Sequence, residues 1–378
     1  MYSNRWSNNM EIHLETELFQ DARVEFLKIP NKGRWLDVPP FAKFLSCSAN
    51  GKLLAVGYRT GRVLILNLRS GKIAHRIDAS YQLMSLNFHP VRDDKLVTAS
   101  GDKTNVQIWT LGGGKPSSIS WIVPCDMTGP ECKNLFATFL GKDEIITCLH
   151  SEILIWNETN RTSKSIASTE SHSTMVLAIM IDKTGENCIT AVQMGLERAA
   201  GDFESGTAQH EKRLCRLQHW PDFRTYHPRL QIKRAGLLTD RVRIRHQHSF
   251  AVSRDFTKVA CIVQPERRSK ATVVRLVSNA CRTRGVVILE LPLRGAETCA
   301  LSPSSQQLIA GFKLFPHEED LLSVYRIGST PGRISRVQGN TNADYVKVTA
   351  VQYLPFSGWG IVYATSEGRV KIIRSKPT

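Results

Sequence analysis

The chain of 378 residues has no apolar run near the ~18 residues that a membrane-spanning helix needs. Its opening residues, MYSNRWSNNM, lack the apolar stretch of a signal peptide. Nine cysteines, an odd number with no C-x-x-C pair, form neither a disulfide framework nor a redox motif. Reduced thiols in a cytoplasmic protein, present also in the nucleus, are therefore expected, and the sequons at Asn157 and Asn160 read as chance. Acid is scarce: 34 Asp+Glu against 50 Lys+Arg leave a net charge of +16. At 42% hydrophobic and 22% charged, the sequence excludes wholesale disorder. The positive excess admits nucleic acid, anionic lipid or an acidic protein face as partner and selects none of them.

Catalytic patterns are missing as well. No G-x-S-x-G elbow and no H-E-x-x-H occurs. The run Gly112-Gly113-Gly114-Lys115-Pro116-Ser117 fails as a phosphate loop, because Trp109 stands where the first Gly belongs and Pro116 where Ser or Thr must reach Mg²⁺. A loop between strands is the expectation there. Cys215 and His219 lie four apart, flanked by His210 and His227, without the closed four-ligand spacing of zinc. Cys47, Cys148, Cys188, Cys261 and Cys299 fall in or beside apolar strands, as small core residues do. No enzyme activity, metal or cofactor is expected.

What is present is a repeat. An alternating strand, a small turn, a second strand ending in small residues, another turn and a third strand recur along the chain. Leu54, Val97, Ile146, Ile189, Ala260, Ile309 and Val362 are matching positions, at intervals of 43, 49, 43, 71, 49 and 53. A unit of ~40–45 residues with four short strands is a propeller blade. Such a blade buries its faces only against its neighbours, and ring closure protects the edge strands. The reading is an all-β, seven-bladed WD-repeat β-propeller with an N-terminal helical extension. Trp109 and Trp156 stand where WD repeats carry Trp, but Thr110 and Asn157 replace the Asp.

Two segments depart from the repeat. Asn8–Leu27 reads as a helix, with Asn8 or Asn9 as N-cap and Glu11, Glu15 and Glu17 near the positive end of the dipole. Met10, Leu14 and Leu18 recur at i+4 steps, and Phe19 and Phe26 add apolar surface. This helix either caps its own ring or docks in a partner's groove. It belongs to a segment 1–34, followed by the propeller at 35–378, whose outer strand WLDV (Trp35–Val38) closes the last blade. The alternative for WLDV, an aromatic-x-x-aliphatic ligand of an autophagy modifier, is the weaker pattern. The second departure, 193–245, interrupts blade four with a polar loop and a basic stretch. Ten cations, Lys212, Arg213, Arg216, Arg224, Arg229, Lys233, Arg234, Arg241, Arg243 and Arg245, face only two acids there. The stretch is either a solvated loop or an anionic docking patch. Trp220, Phe223 and Tyr226 interleave with Arg216, Arg224 and Arg229, as single-strand nucleic-acid binders do. Aromatics that anchor a loop on the blades explain the same pattern, and nucleic acid is disfavoured.

In order, NFHP (Asn87–Pro90), QIWTLGGG (Gln107–Gly114), EILIWN (Glu152–Asn157), IDKTGENCITAV (Ile181–Val192), ALSPSSQQLIAG (Ala300–Gly311) and QYLPFSGWGIVYATSEGRVKI (Gln352–Ile372) resemble the propeller of the Ambra family, the activating molecule in Beclin-regulated autophagy. The resemblance spans roughly residues 8–374. That family's long disordered segment, which splits its propeller, has no counterpart in this chain, and no Thr-Gln-Thr motif occurs. The resemblance implies a substrate receptor of a cullin 4-type RING ubiquitin ligase, attached through the DNA-damage-binding adaptor protein. It further implies roles in autophagy regulation and protein ubiquitination, with D-type cyclins or autophagy regulators as substrates. The family's adaptor contact maps onto Met10, Leu14, Leu18, Phe19 and Phe26. Arg69, after Leu66-Asn67-Leu68, takes the Arg position of a W-D-x-R signature that here lacks Trp and Asp. The competing reading is a basic propeller that binds RNA or anionic membrane lipid through Lys212–Arg245.

Overall fold

In the computed structural model, the described residues exclude 1–41, 102–104, 113, 124–134, 142, 150–151, 160, 169–174, 182–187, 195–213, 221–235, 239–246, 264–272, 279–285, 314–319, 329–331, 339–345, 356–359, 367 and 374–378. The expected N-terminal helix and the WLDV strand lie outside them.

The described chain is a series of antiparallel sheets made from consecutive strands. Sheet 1 holds β1 (Ala42–Cys47), β2 (Leu53–Tyr58), β3 (Arg62–Asn67) and β4 (Ile73–Asp78). Sheet 2 holds β5 (Leu83–Phe88), β6 (Lys95–Ser100), β7 (Asn105–Thr110) and β8 (Ser117–Ile122). Sheet 3 holds β9 (Leu135–Leu140), β10 (Glu144–Leu149), β11 (Glu152–Asn157) and β12 (Ser163–Ser168). In sheet 4 are β13 (Met175–Ile181), β14 (Cys188–Met194), β15 (Leu214–Trp220) and β16 (Gly236–Leu238). Sheet 5 is β17 (Phe250–Val252), β18 (Lys258–Val263), β19 (Val273–Ser278) and β20 (Val286–Pro292). Sheet 6 is β21 (Ala296–Leu301), β22 (Gln307–Phe312), β23 (Asp320–Arg326) and β24 (Gly332–Gln338). Sheet 7 contains three described strands, β25 (Val348–Tyr353), β26 (Ile361–Thr365) and β27 (Val370–Ile373).

First strands touch across the seams of sheets 1–2, 2–3, 3–4, 5–6 and 6–7, and β25 returns to β1. A 3-10 turn, Gln247–Ser249, precedes β17 and touches β13, β21 and β25. From it His248 reaches across, where its Nε2 accepts the Leu45 backbone N–H at 3.3 Å. Burial pushes this imidazole down to about 3, so it is neutral at physiological pH.

Second strands form the middle of the packing because both of their faces are covered. Leu54 and Val56 join a cluster with Val362 and Ala364 of sheet 7, whereas Ala55 joins Leu83 and Leu86 of sheet 2. Side chains alternate between faces, so a strand buried on both reads as an unbroken apolar run such as LLAVGY. Each fully buried Leu, Val or Ile contributes about 1.5–3 kcal/mol. All seven matching positions of the repeat fall on second strands, and Leu54, Val97, Ile146, Ala260, Ile309 and Val362 are buried. Small residues at the ends of these strands have a reason as well. A Cβ on Gly311 would stand 2.7 Å from Val348 Cγ1, so glycine lets the first strand of sheet 7 approach.

Sheet 4 continues within 193–245. Gln193 and Met194 end β14, and β15 and β16 both lie inside the expected interruption. Their apolar residues pair across the sheet, Leu217 with Ala191 and with Leu238, and strand pairing outweighs the surrounding polar composition.

Candidate functional site

Each sheet runs in the same sense, which gives the assembly two rims. At the exit rim, where first strands end, the turns are locked by their first residue. Ser48 Oγ accepts the Leu53 N–H at 3.0 Å, and Ser253 and Ser302 repeat the bond to Lys258 and Gln307. His89 does this work in sheet 2, its Nδ1 accepting from Val91 and Arg92 at 3.1 and 2.9 Å. Side chains also stitch neighbouring sheets along this rim. Asp93 Oδ1 accepts the Asn50 N–H at 2.8 Å, Lys258 Nζ donates to the Ser305 carbonyl at 3.0 Å, and Tyr353 OH donates to Gln307 Oε1 at 3.1 Å. The strongest stitch is a shielded ion pair, Lys95 Nζ to Glu158 at 2.6 and 2.7 Å.

Arg69 belongs to this rim, in the β3–β4 turn. Asn67 Oδ1 accepts the N–H groups of Arg69 and Ser70 at 2.9 and 3.0 Å, which holds the turn. The Arg69 side chain is exposed and makes no ion pair among the described residues. The Asn that replaces the WD aspartate therefore still fixes the turn that follows it, and Asn157 Oδ1 likewise accepts the Thr159 N–H at 2.9 Å. The Trp side of the signature is also intact. Trp109 Nε1 donates to Thr98 Oγ1 at 3.0 Å and Trp156 Nε1 to Thr147 Oγ1 at 2.7 Å.

The entry rim, where first strands begin, has a different character at the seam of sheets 7 and 1. Thr349 Oγ1 donates to the Ala42 carbonyl across this seam. That bond sets Lys43 of β1 beside Lys347, two residues before Thr349. Ala42 pairs with Tyr58, so Arg59 opens the β2–β3 turn at the same edge. Lys347 is bridged in turn to Lys313 of sheet 6. The Lys43 ammonium lies 5.1 Å from the Phe44 ring centroid. Burial, with Arg59 and Lys347 nearby, lowers its pKa to about 8. Lys43, Arg59 and Lys347 form no ion pair among the described residues.

Of the residues expected to act, Met10, Leu14, Leu18, Phe19 and Phe26 lie outside the described residues, as do Lys212, Arg213, Arg224, Arg229, Lys233, Arg234, Arg241, Arg243 and Arg245. Arg216 is placed on β15. The connections on either side of β15 leave from its opposite ends, about 20 Å apart for a strand of this length. Cys215 and His219 lie on β15, with His210 and His227 outside the described residues. No group of three or more potential metal ligands occurs among the described residues. The false phosphate loop is the β7–β8 connection, with a strand after it where a phosphate loop requires a helix. Cys148, Cys188, Cys261 and Cys299 are buried and Cys47 is half-buried; burial pushes the thiols of Cys47 and Cys299 up to about 12. Among the described residues no helix is long and apolar enough to cross a membrane.

Residues 41–91, which cover sheet 1 and β5, match a family described as the anaphase-promoting complex subunit 4 WD40 domain. The chain is also similar to the crystal structure of the Myceliophteria thermophila Cps50 (Swd1) β-propeller domain. That likeness has a TM-score of 0.62 over 93% of this chain and 100% of the other, at 12% sequence identity. The chain has a β-propeller fold. No curated protein sequence matches it significantly.

Proposed function

We propose that this propeller is a non-enzymatic substrate receptor of a cullin 4-type RING ubiquitin ligase, acting in autophagy regulation and protein ubiquitination in the cytoplasm and nucleus. The observation that carries the reading is Arg69. It is an exposed arginine on a turn fixed by Asn67, at the position where the resembled receptors present theirs. The Ambra-like blocks support it, and Asn8–Leu27 supplies the adaptor-docking face through Met10, Leu14, Leu18, Phe19 and Phe26. The mechanism is proximity: one surface holds the adaptor, another the substrate, and target lysines gain a high effective concentration near a charged ubiquitin carrier. Autophagy regulators or D-type cyclins are the substrates that the resemblance suggests.

The test is recovery of the DNA-damage-binding adaptor and cullin 4 on the full chain at ~0.3 M salt, against Leu14→Asp/Leu18→Asp. Loss of both proteins from the double variant, with its thermal transition unchanged, is the expected outcome. Equal recovery refutes the helix assignment. Binding to RNA or lipid that collapses with salt, without the adaptor, replaces the receptor reading with the polyanion one.

A further inference from the structure

Lys43, Arg59 and Lys347, at the seam of sheets 7 and 1, form no ion pair among the described residues. Like charges in a half-buried setting raise the energy of the folded state, and such uncompensated local conflicts concentrate at functional sites. The described acids at this rim have other neighbours. Asp78 is 3.8 Å from Arg62, and Asp320 is shared by Arg333 at 2.7 Å and Arg336 at 3.5 Å. Glu297, at the start of β21, has its own interactions. The same edge offers an aromatic. The Leu83 N–H donates to the Arg59 carbonyl at 3.3 Å, which places the β4–β5 connection against Arg59, and Tyr81 in that connection is 54% exposed.

We infer that the entry rim binds an acidic segment of a partner protein, with Lys43, Arg59 and Lys347 receiving its carboxylates and Tyr81 packing on its chain. Arginine takes a carboxylate through two parallel N–H bonds, whereas lysine acts as a point charge. Tyr and Arg are among the residue types that dominate protein-binding hot spots. Lys43 stands on β1 and Lys347 just before β25, with Arg59 in the β2–β3 turn. A nucleic-acid duplex needs cations in register with phosphates along its length, and a membrane needs a broad basic face; three cations around one strand end suit a short run of carboxylates.

This inference deepens the receptor reading by giving the substrate a rim. It puts the substrate opposite the exit rim that carries Arg69, and it specifies acidic substrates.

The test uses the full chain and a fluorescein-labelled octaglutamate peptide, read by anisotropy at 50 mM salt. Lys43→Glu/Lys347→Glu is expected to weaken binding at least tenfold, and Tyr81→Ala three- to tenfold. Lys52→Glu/Lys72→Glu, the same charge change on exposed exit-rim lysines, is expected to stay within twofold. Equal weakening by both lysine pairs overturns the site, because it would show attraction to net charge alone. Unchanged binding by Lys43→Glu/Lys347→Glu overturns it too. So does a larger loss, on that variant, of a 20-nucleotide single-stranded RNA or of phosphatidylserine vesicles than of octaglutamate. Adaptor recovery on the unaltered chain separates the two proposals. If no adaptor or cullin is recovered, the receptor reading fails, while octaglutamate binding by the same protein leaves the entry-rim site standing.

Discussion

The exit rim and the seam of sheets 7 and 1 at the entry rim treat charge in opposite ways. At the exit rim every described link between neighbouring sheets satisfies a polar group, and the one shielded ammonium, Lys95, has a carboxylate at 2.6 Å. At the entry rim, Lys43, Arg59 and Lys347 crowd together with no carboxylate of their own among the described residues. The exit rim behaves as architecture, since its polar groups raise the cost of separating two sheets. The entry rim carries a conflict that the apolar packing of sheets 7 and 1 must override. Stability should therefore respond with opposite sign to the removal of Lys95 and of Lys43.

The largest effect is expected at Lys95. Its side chain is 9% exposed and that of Glu158 is 16% exposed, so Lys95→Met leaves a shielded carboxylate unpaired. Breaking such a pair from one side costs about 3–5 kcal/mol, whereas replacing both partners by apolar groups is often near neutral. Urea denaturation should show the midpoint falling for Lys95→Met and largely restored in Lys95→Met/Glu158→Leu. A single variant as stable as the wild type would remove the exit rim's claim to hold sheets 2 and 3 together.

Between the rims, His248 joins the segment before β17 to β1. The imidazole is held neutral by burial, with a folded pKa of about 3 against an ordinary 6.5. As pH falls below 6.5 the unfolded chain takes up the proton first, so this stability is full above that value and is lost towards pH 3. The slope is at most about 1.4 kcal/mol per pH unit. His248→Gln retains an acceptor for the Leu45 N–H without titrating near neutrality. Urea midpoints at pH 6.5, 5.5 and 4.5 should decline less steeply in this variant than in the wild type. Parallel declines would show that acid acts elsewhere.

These differences explain which features were legible in the amino-acid sequence. The seven second-strand positions stand out because burial on both faces forces consecutive apolar residues, a signal that lies within one strand. The exit-rim turns are visible for the same reason: SANGK, SRDFTK and SPSSQQ each carry their lock within five or six residues. Neither ion-bearing site is local. Lys95 and Glu158 are 63 residues apart, and Lys43 and Lys347 meet only because β25 returns to β1. A basic run such as Lys212–Arg245 is conspicuous in sequence, whereas three cations drawn from distant strand ends are not. An alignment of the repeats with attention to charge at the start of each first strand would have marked Lys43 and Lys347.

The smallest effect, and the one that sharpens the contrast most, concerns Lys43. Its folded pKa of about 8 lies below the ordinary 10.5, because burial and the neighbouring cations disfavour the charged form. The unfolded chain therefore holds this proton more tightly. Between pH 8 and 10.5 the folded protein has already released it, so the group's contribution to stability rises with pH across that window. Lys43→Met removes the penalty at neutral pH and abolishes the rise. Since the side chain is only half-buried and screened by solvent, the gain is about 1 kcal/mol or less. It should appear as a slightly higher urea midpoint at pH 7, convergence with the wild type near pH 10, and a loss of octaglutamate affinity. A variant that is less stable than the wild type at pH 7 would mean that Lys43 is paired after all, and the entry rim would then follow the same rule as the exit rim.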